Sequence, residues 1–132
     1  LACMAALIIA ALLSSLPYLS ESCFRTPATS TSPCRSCAAN LIAVTENGAG
    51  AKPMDGDVID RTSGACATRT FTCLGPVADN PNIEINDGLG VIQDGDDGAV
   101  DGRTTFTVTC NTAGTAWVNT GITVTQVECA AG

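Results

Sequence analysis

The sequence predicts an all-β fold, a small disulfide-stapled antiparallel β-sandwich, Ig-like or related, that follows an N-terminal signal helix. Three features point there. Eight cysteines occur in 132 residues with no histidine. Runs of strict apolar–polar alternation recur through the last two thirds, and Asn-Gly, Asp-Gly and Gly-Pro pairs punctuate them. Alternation of period two marks a half-buried strand, and Asn-Gly or Asp-Gly supplies the positive φ angles that tight hairpin turns need.

The first 13 residues, Leu1 to Leu13, are unbroken apolar sequence. A bilayer span takes about 20 such residues, so the run fits the core of a secretory signal peptide instead. Ser20 and Ser22 stand at the −3 and −1 positions of a cut before Cys23, which sets residues 1–22 as the leader. Residues 23–33 are rich in Ser, Thr and Pro and read as a solvated linker, because that composition buries too little apolar surface to offset the ordering of the chain. The folded domain is expected over residues 34–132.

Within it, Ala38 to Val44 is a short apolar run that reads as a first strand buried on both faces. Glu46-Asn47-Gly48 breaks it, and a loop through Lys52 to Asp57 leads to Cys66. A second strand is expected at about 67 to 74, where Arg69-Thr-Phe71-Thr-Cys73 puts Phe and Cys on one face and threonines on the other. The same alternation in Arg103-Thr-Thr-Phe106-Thr-Val108-Thr-Cys110 marks a strand over 103–110. Between them Asn82 to Asn86 alternates and closes on Asp87-Gly88, and Leu89 to Ile92 closes on Asp94-Gly95. In the last run Ile122 and Val124 share one phase while Val127 and Cys129 share the other, so a bend is expected near Thr125 and Gln126. Phe71, Ile83, Ile85, Phe106, Val108 and Trp117 form the expected core, with Trp117 as its cap.

The absence of His argues against a Cys/His zinc site, and one CxxC pair, Cys34 to Cys37, is short of the two knuckles that a thiolate site needs. Cys34, Cys37, Cys66, Cys73, Cys110 and Cys129 are therefore expected in disulfides, which belong to oxidising compartments and to small loop-rich domains. Once the leader is cut, Cys23 is left over. On a flexible linker it is a candidate for an intermolecular disulfide and a linked dimer.

Laid out together, several segments resemble the nematode six-cysteine extracellular domain family. They are Cys34-x-x-Cys37 before a short apolar run, Gly64-Ala-Cys66-x-x-Arg69-Thr-Phe-Thr-Cys73, Ile83-Glu-Ile85-Asn86, and the closing block from Cys110 through Gly114 and Trp117 to Cys129. The likeness covers residues 34 to 129. It implies an extracellular setting, no defined molecular function, and a bridge between Cys34 and Cys66. Three pairings remain for the other cysteines if that bridge holds. An up-and-down strand layout favours Cys37 with Cys73 and Cys110 with Cys129, although it seats Cys34–Cys66 well only if the chain before Cys37 doubles back.

Composition excludes some functions. Thirteen acidic against six basic residues give a net charge of −7, and phosphate backbones are bound by clustered Lys and Arg, so no nucleic-acid partner is expected. Nor is a membrane span expected in the mature form. Asp94, Asp96, Asp97 and Asp101 have the chemistry of calcium ligands, but their spacing fails the EF-hand pattern and Asp and Gly are ordinary turn formers. No metal or cofactor is expected. Without His no Ser/His or Cys/His pair exists, and nothing supplies a perturbed carboxylate pair, so the chain reads as no enzyme. It reads as a secreted binding or structural module of matrix, cuticle or secreted fluid, with an unknown extracellular protein or glycan as partner. The alternative is an effector such as a protease inhibitor or defence protein, which would present an exposed loop, with Asn47 to Asp57 the candidate.

Overall fold

The computed structural model describes residues 31–132; the expected leader and most of the linker, with Cys23, lie outside the described residues. Ten strands run in chain order: β1 Ala43–Thr45, β2 Ala51–Lys52, β3 Gly56–Asp60, β4 Thr68–Leu74, β5 Asn82–Ile85, β6 Gly90–Gln93, β7 Arg103–Cys110, β8 Trp117–Asn119, β9 Ile122–Val124 and β10 Gln126–Ala130. They form two sheets, β1-β10-β5-β6 with β2 also on β10, and β3-β4-β7-β8-β9. Single 3₁₀ turns at Pro33–Arg35, Ala39–Leu41 and Val77–Asp79 are the other regular elements. The fold is all-β, and no α-helix occurs among the described residues.

β4 and β7 are the backbone of the second sheet, and their alternation explains why. Arg69, Phe71 and Cys73 of β4 and Phe106, Val108 and Cys110 of β7 are buried, while Thr68, Thr70 and Thr72 pair across the outer face with Thr109, Thr107 and Thr105. β-Branched side chains suit a pleated outer face, and cross-strand Thr pairs add support; Thr70 and Thr107 hydroxyls are 2.9 Å apart. Phe71, Ile83, Val108 and Trp117 are wholly buried and Phe106 is 5% exposed. Ile85 is only half-buried, because it sits at an open end between the sheets. Trp117 lies inside the core, where its indole N–H donates to the Ala38 carbonyl at 2.9 Å.

The bend comes where the phase of the apolar residues changes. β9 ends in the second sheet at Val124, and β10 begins in the first at Gln126. Asn86, in left-handed backbone at φ 50°, holds that crossing. Its side-chain carbonyl accepts from the Thr125 and Gln126 amides at 2.8 and 3.3 Å, and its amide nitrogen donates to the Thr123 carbonyl at 2.8 Å.

Four expectations need correction. The run 38–44 is not a strand buried on both faces: a 3₁₀ turn occupies Ala39–Leu41, β1 begins at Ala43, and Leu41 and Val44 are exposed, because β1 is an edge strand. The expected loop before Cys66 contains β2 and β3. β3 was masked by an inverted pattern, with Asp57 turned inward and Val58 outward at 65% exposure. The sandwich is not purely antiparallel, since β1 pairs parallel with β10.

The fourth correction concerns the disulfides. Cys34 is joined to Cys66, the pair the family resemblance implies, but Cys37 is joined to Cys110 and Cys73 to Cys129. In the β4–β7 ladder Cys73 stands opposite Thr104, six residues from Cys110 at the other end, where the Cys110 amide donates to the Ala67 carbonyl. The sheet change at Thr125 then carries Cys129 over Cys73. The chain before Cys37 does double back, and the Ala67 amide donates to the Cys34 carbonyl.

Replacing Cys73 and Cys129 together by alanine, which frees a 56-residue loop, is expected to cost about 3–4 kcal/mol of unfolding free energy in urea titration. Peptide mapping of the unreduced protein is expected to recover the three cross-linked pairs just named; a Cys37–Cys73 peptide would contradict the fold.

Candidate functional site

One buried charge organises the core. Arg69 projects from β4 into the interior and is 4% exposed. Its Nε and Nη2 donate to the two carboxylate oxygens of Asp57 on β3 at 2.7 and 2.6 Å, and Nη1 donates to the Ala39 carbonyl at 2.6 Å. The guanidinium also lies 4.7 Å from the centroid of the Phe71 ring. A planar fork suits this bidentate geometry. Asp57 is about one third open to solvent, so the pair is closed on the Arg69 side and open on the other.

Two more arginines lock the segment before the domain core against the loop that follows β3. Arg35 donates to the carbonyls of Arg61, Thr62, Gly64 and Ala65, and Arg61 donates back to the carbonyls of Arg35 and Cys37 at 2.6 and 2.7 Å. Asp60 closes the turn: its carboxylate accepts from the Thr62 and Ser63 amides, and hydrogen bonds from Ser63 and then Thr62 hold its pKa well below the usual range. The 61–65 loop, with Cys66 bridged to Cys34, is thus exposed but braced. Its carbonyls face inward to Arg35, and the Arg61 side chain is occupied. A loop that inserts into a protease offers outward carbonyls and a free side chain, and this one offers neither.

The loop expected to protrude, Asn47 to Asp57, lies along the sheet edge. β2 pairs with β10. At one end Glu128, 6% exposed, accepts from the Asn47 and Gly48 amides at 2.6 and 2.9 Å and from the Thr45 hydroxyl at 3.0 Å. A methyl group on Gly48 would collide with that carboxylate. The Asn47 amide leads the hydrogen bonds that lower the Glu128 pKa, against the opposing effect of burial. At the other end Lys52 donates to Asp55 at 2.8 Å and to the Leu74 carbonyl at 2.7 Å, while Asp55 accepts from the Leu74 amide. The Lys52 ammonium and then the Leu74 amide lower the Asp55 pKa.

The aspartates of the 94–101 turns are likewise engaged with backbone. Asp94 accepts from the amides of Asp101 and Gly102, Asp96 from Gln93, Asp97 from Ala99 and Asp101 from Arg103. They are structural turn caps. One further group, Asp55 with Cys73 and Cys129, has the two sulfurs in a disulfide, which leaves no thiolate to ligate. At the open end between the sheets, Ile85, Leu89, Phe106, Ile122 and Val124 line an apolar notch of about 50 Å³, too small for more than a side-chain tip. No helix among the described residues is long and apolar enough to cross a membrane.

Sequence reasoning placed the cysteines and missed the polar partners. Arg69 stood in the resemblance segment, and an Arg in phase with Phe71 and Cys73 was the one available sign of a buried cation. Asp57, Glu128 and Asn86 gave no local sign, since their partners are remote in the chain.

Two outcomes follow. Asp57→Asn is expected to cost about 2–3 kcal/mol, less than the ~3–5 kcal/mol of breaking a fully buried pair because Asp57 is partly solvated; changing both Asp57→Leu and Arg69→Met is expected to return most of it in thermal melts. Glu128 has a folded pKa below its ordinary value near 4.5, so its contribution is complete above that value and lost as the pH falls through the lowered one. Glu128→Gln is therefore expected to lower stability near pH 7 and to flatten its decline below about pH 4.5, read from urea midpoints across pH.

The family described as C6 domain matches the chain over residues 34–129. Neither a curated protein nor a solved structure matches it.

Proposed function

This chain belongs to the C6 domain family, and from that premise we propose that it is a secreted extracellular module, disulfide-rich and non-catalytic, which acts by binding or as a structural element of matrix, cuticle or secreted fluid. The observation that carries this reading is the full pairing of the six cysteines from Cys34 to Cys129 into three bridges. Such bridges form and persist in oxidising compartments.

The electrostatics support a binding role towards neutral or cationic partners. Lys52 and Arg69 each pair with one aspartate, which leaves the net charge of −7 unchanged, so the balance the chain presents is negative. A surface of that sign repels anionic polymers and attracts basic ones. The effector reading gains no support, because the Asn47–Asp57 segment is tied to the sheet at both ends and the braced 61–65 loop turns its carbonyls inward.

The linker cysteine, Cys23, belongs to this proposal as a second cross-link, between mature chains. Expression of the full reading frame in a secretory cell tests both parts. The chain is expected in the medium, with its six C-terminal cysteines bridged, and as a dimer on a non-reducing gel. Retention in the cytosol with free thiols overturns the extracellular reading; a secreted monomer without a free thiol overturns the Cys23 link alone.

A further inference from the structure

Each sheet of the sandwich has two outer edges, and among the described residues three of the four are shorter than the fourth or have an outward backbone group already taken. At β6 the Gln93 amide is taken by the Asp96 carboxylate at 2.8 Å. At β9, three residues long, the Thr123 carbonyl is taken by the Asn86 side chain at 2.8 Å. The β1 and β2 side is broken into pieces of three and two residues by the turn that Glu128 pins. The fourth edge, β3, is five residues long.

The hydrogen-bond phase of β3 follows from its neighbours. The Cys110 amide donates to the Ala67 carbonyl, so on β4 the backbone groups of Ala67, Arg69, Phe71 and Cys73 turn to β7, and those of Thr68, Thr70 and Thr72 turn to β3. The Asp55 amide, which donates to the Thr72 carbonyl, agrees. Val58 stands opposite Thr70 and Asp60 opposite Thr68, so their amides and carbonyls bond to β4. The N–H and C=O groups of Asp57 and Ile59 therefore point away from the sheet, and no described residue meets them.

Natural edges are commonly protected by an inward-facing charge, a lysine or a proline. β3 has the inward charge, Asp57, but Arg69 neutralises it in a bidentate pair. Its outward residue is Val58, 65% exposed, beside a field of threonines on β4 and β7. The second acid of the strand, Asp60, has its carboxylate folded back on Thr62 and Ser63.

We propose that β3 is a self-association edge, on which a second copy of this chain adds its own β3 in antiparallel register about Val58. The chemistry favours a second copy because the strand is self-complementary under a two-fold axis. With Val58 opposite its symmetry mate, Asp57 falls opposite Ile59 of the other copy and Ile59 opposite Asp57, both as hydrogen-bonded pairs that exchange two bonds. Every outward-facing group of Asp57 and Ile59 is then used. Val58 meets Val58 in the closely spaced non-bonded pair, at a Cα separation of about 4.5 Å. Asp57 is paired with Arg69, and Asp60 falls opposite Gly56 of the other copy, so no like charges stand directly opposed where two acidic molecules meet, and the two β3-edged sheets become one continuous sheet with a threonine-rich outer face.

The test uses the full mature chain carrying Cys23→Ser, so that its result is independent of a linker disulfide. Sedimentation is expected to show a reversible dimer whose dissociation constant rises about tenfold or more in Val58→Lys, from like charges placed directly opposite and the lost apolar contact. The melting temperature is expected to hold, since Val58 is outside the core. In the Cys23→Ser parent, amide exchange at Asp57 and Ile59 is expected to slow as protein concentration rises. A monomer at every concentration up to millimolar overturns the proposal. So does a dimer that Val58→Lys leaves unchanged, or protection of these two amides that persists on dilution, which would mean that the chain's own N-terminal segment covers the edge.

Discussion

The fold depends on the Cys73–Cys129 bridge, which joins an interior strand of one sheet to an interior strand of the other. A domain of this size buries a modest core, and this one has few large apolar side chains: three aromatic residues, Phe71, Phe106 and Trp117, occupy it. Fixing β4 over β10 sets the spacing that these side chains fill. The other two bridges act on the segment before β1. By tethering Cys34 and Cys37 they hold the carbonyls of Ala38 and Ala39 where the Trp117 indole and the Arg69 guanidinium require acceptors. The covalent framework thus brings polar partners to groups that would otherwise be buried without them, and no buried side-chain nitrogen or oxygen among the described residues lacks a partner.

Polar side chains make up for what the small core lacks. Glu128, Asp60, Asp94 and Asn86 each gather two or more backbone amides, so the acidic composition serves as a set of turn fasteners as well as a solvated surface. Ionised carboxylates accept stronger bonds than neutral groups do. The acids most crowded in sequence, Asp94, Asp96, Asp97 and Asp101, are committed in this way to their own turns.

The strands that carry the fold were legible because threonines alternate with Phe71 and Cys73 in one run and with Phe106, Val108 and Cys110 in the other, and the change of phase between Val124 and Val127 marked the sheet crossing. β3 was illegible for a physical reason. Alternation predicts the buried face only while charge stays outside, and Arg69, thirteen residues past Gly56, lets Asp57 face inward. Pairing of Cys37, Cys73, Cys110 and Cys129 was also beyond the sequence, since it turns on which strand leaves its sheet. The candidate-site residues fared similarly: Glu128 reaches an amide 81 positions away, and no local pattern encodes such a partner, whereas the cysteine framework was legible from count and spacing alone.

The bridge pattern has a mechanical corollary. Tension applied between Cys34 and Cys129 does not pass through the 95 peptide units that separate them in sequence; it crosses one sulfur link to Cys66, runs up β4 to Cys73, and crosses a second link to Cys129. Seven peptide units, about 25 Å when drawn straight, stand in for a contour of roughly 300 Å. Because β4 is already extended, a polymer built from such units would be a chain of nearly inextensible rods, and its give would reside in whatever joins one rod to the next.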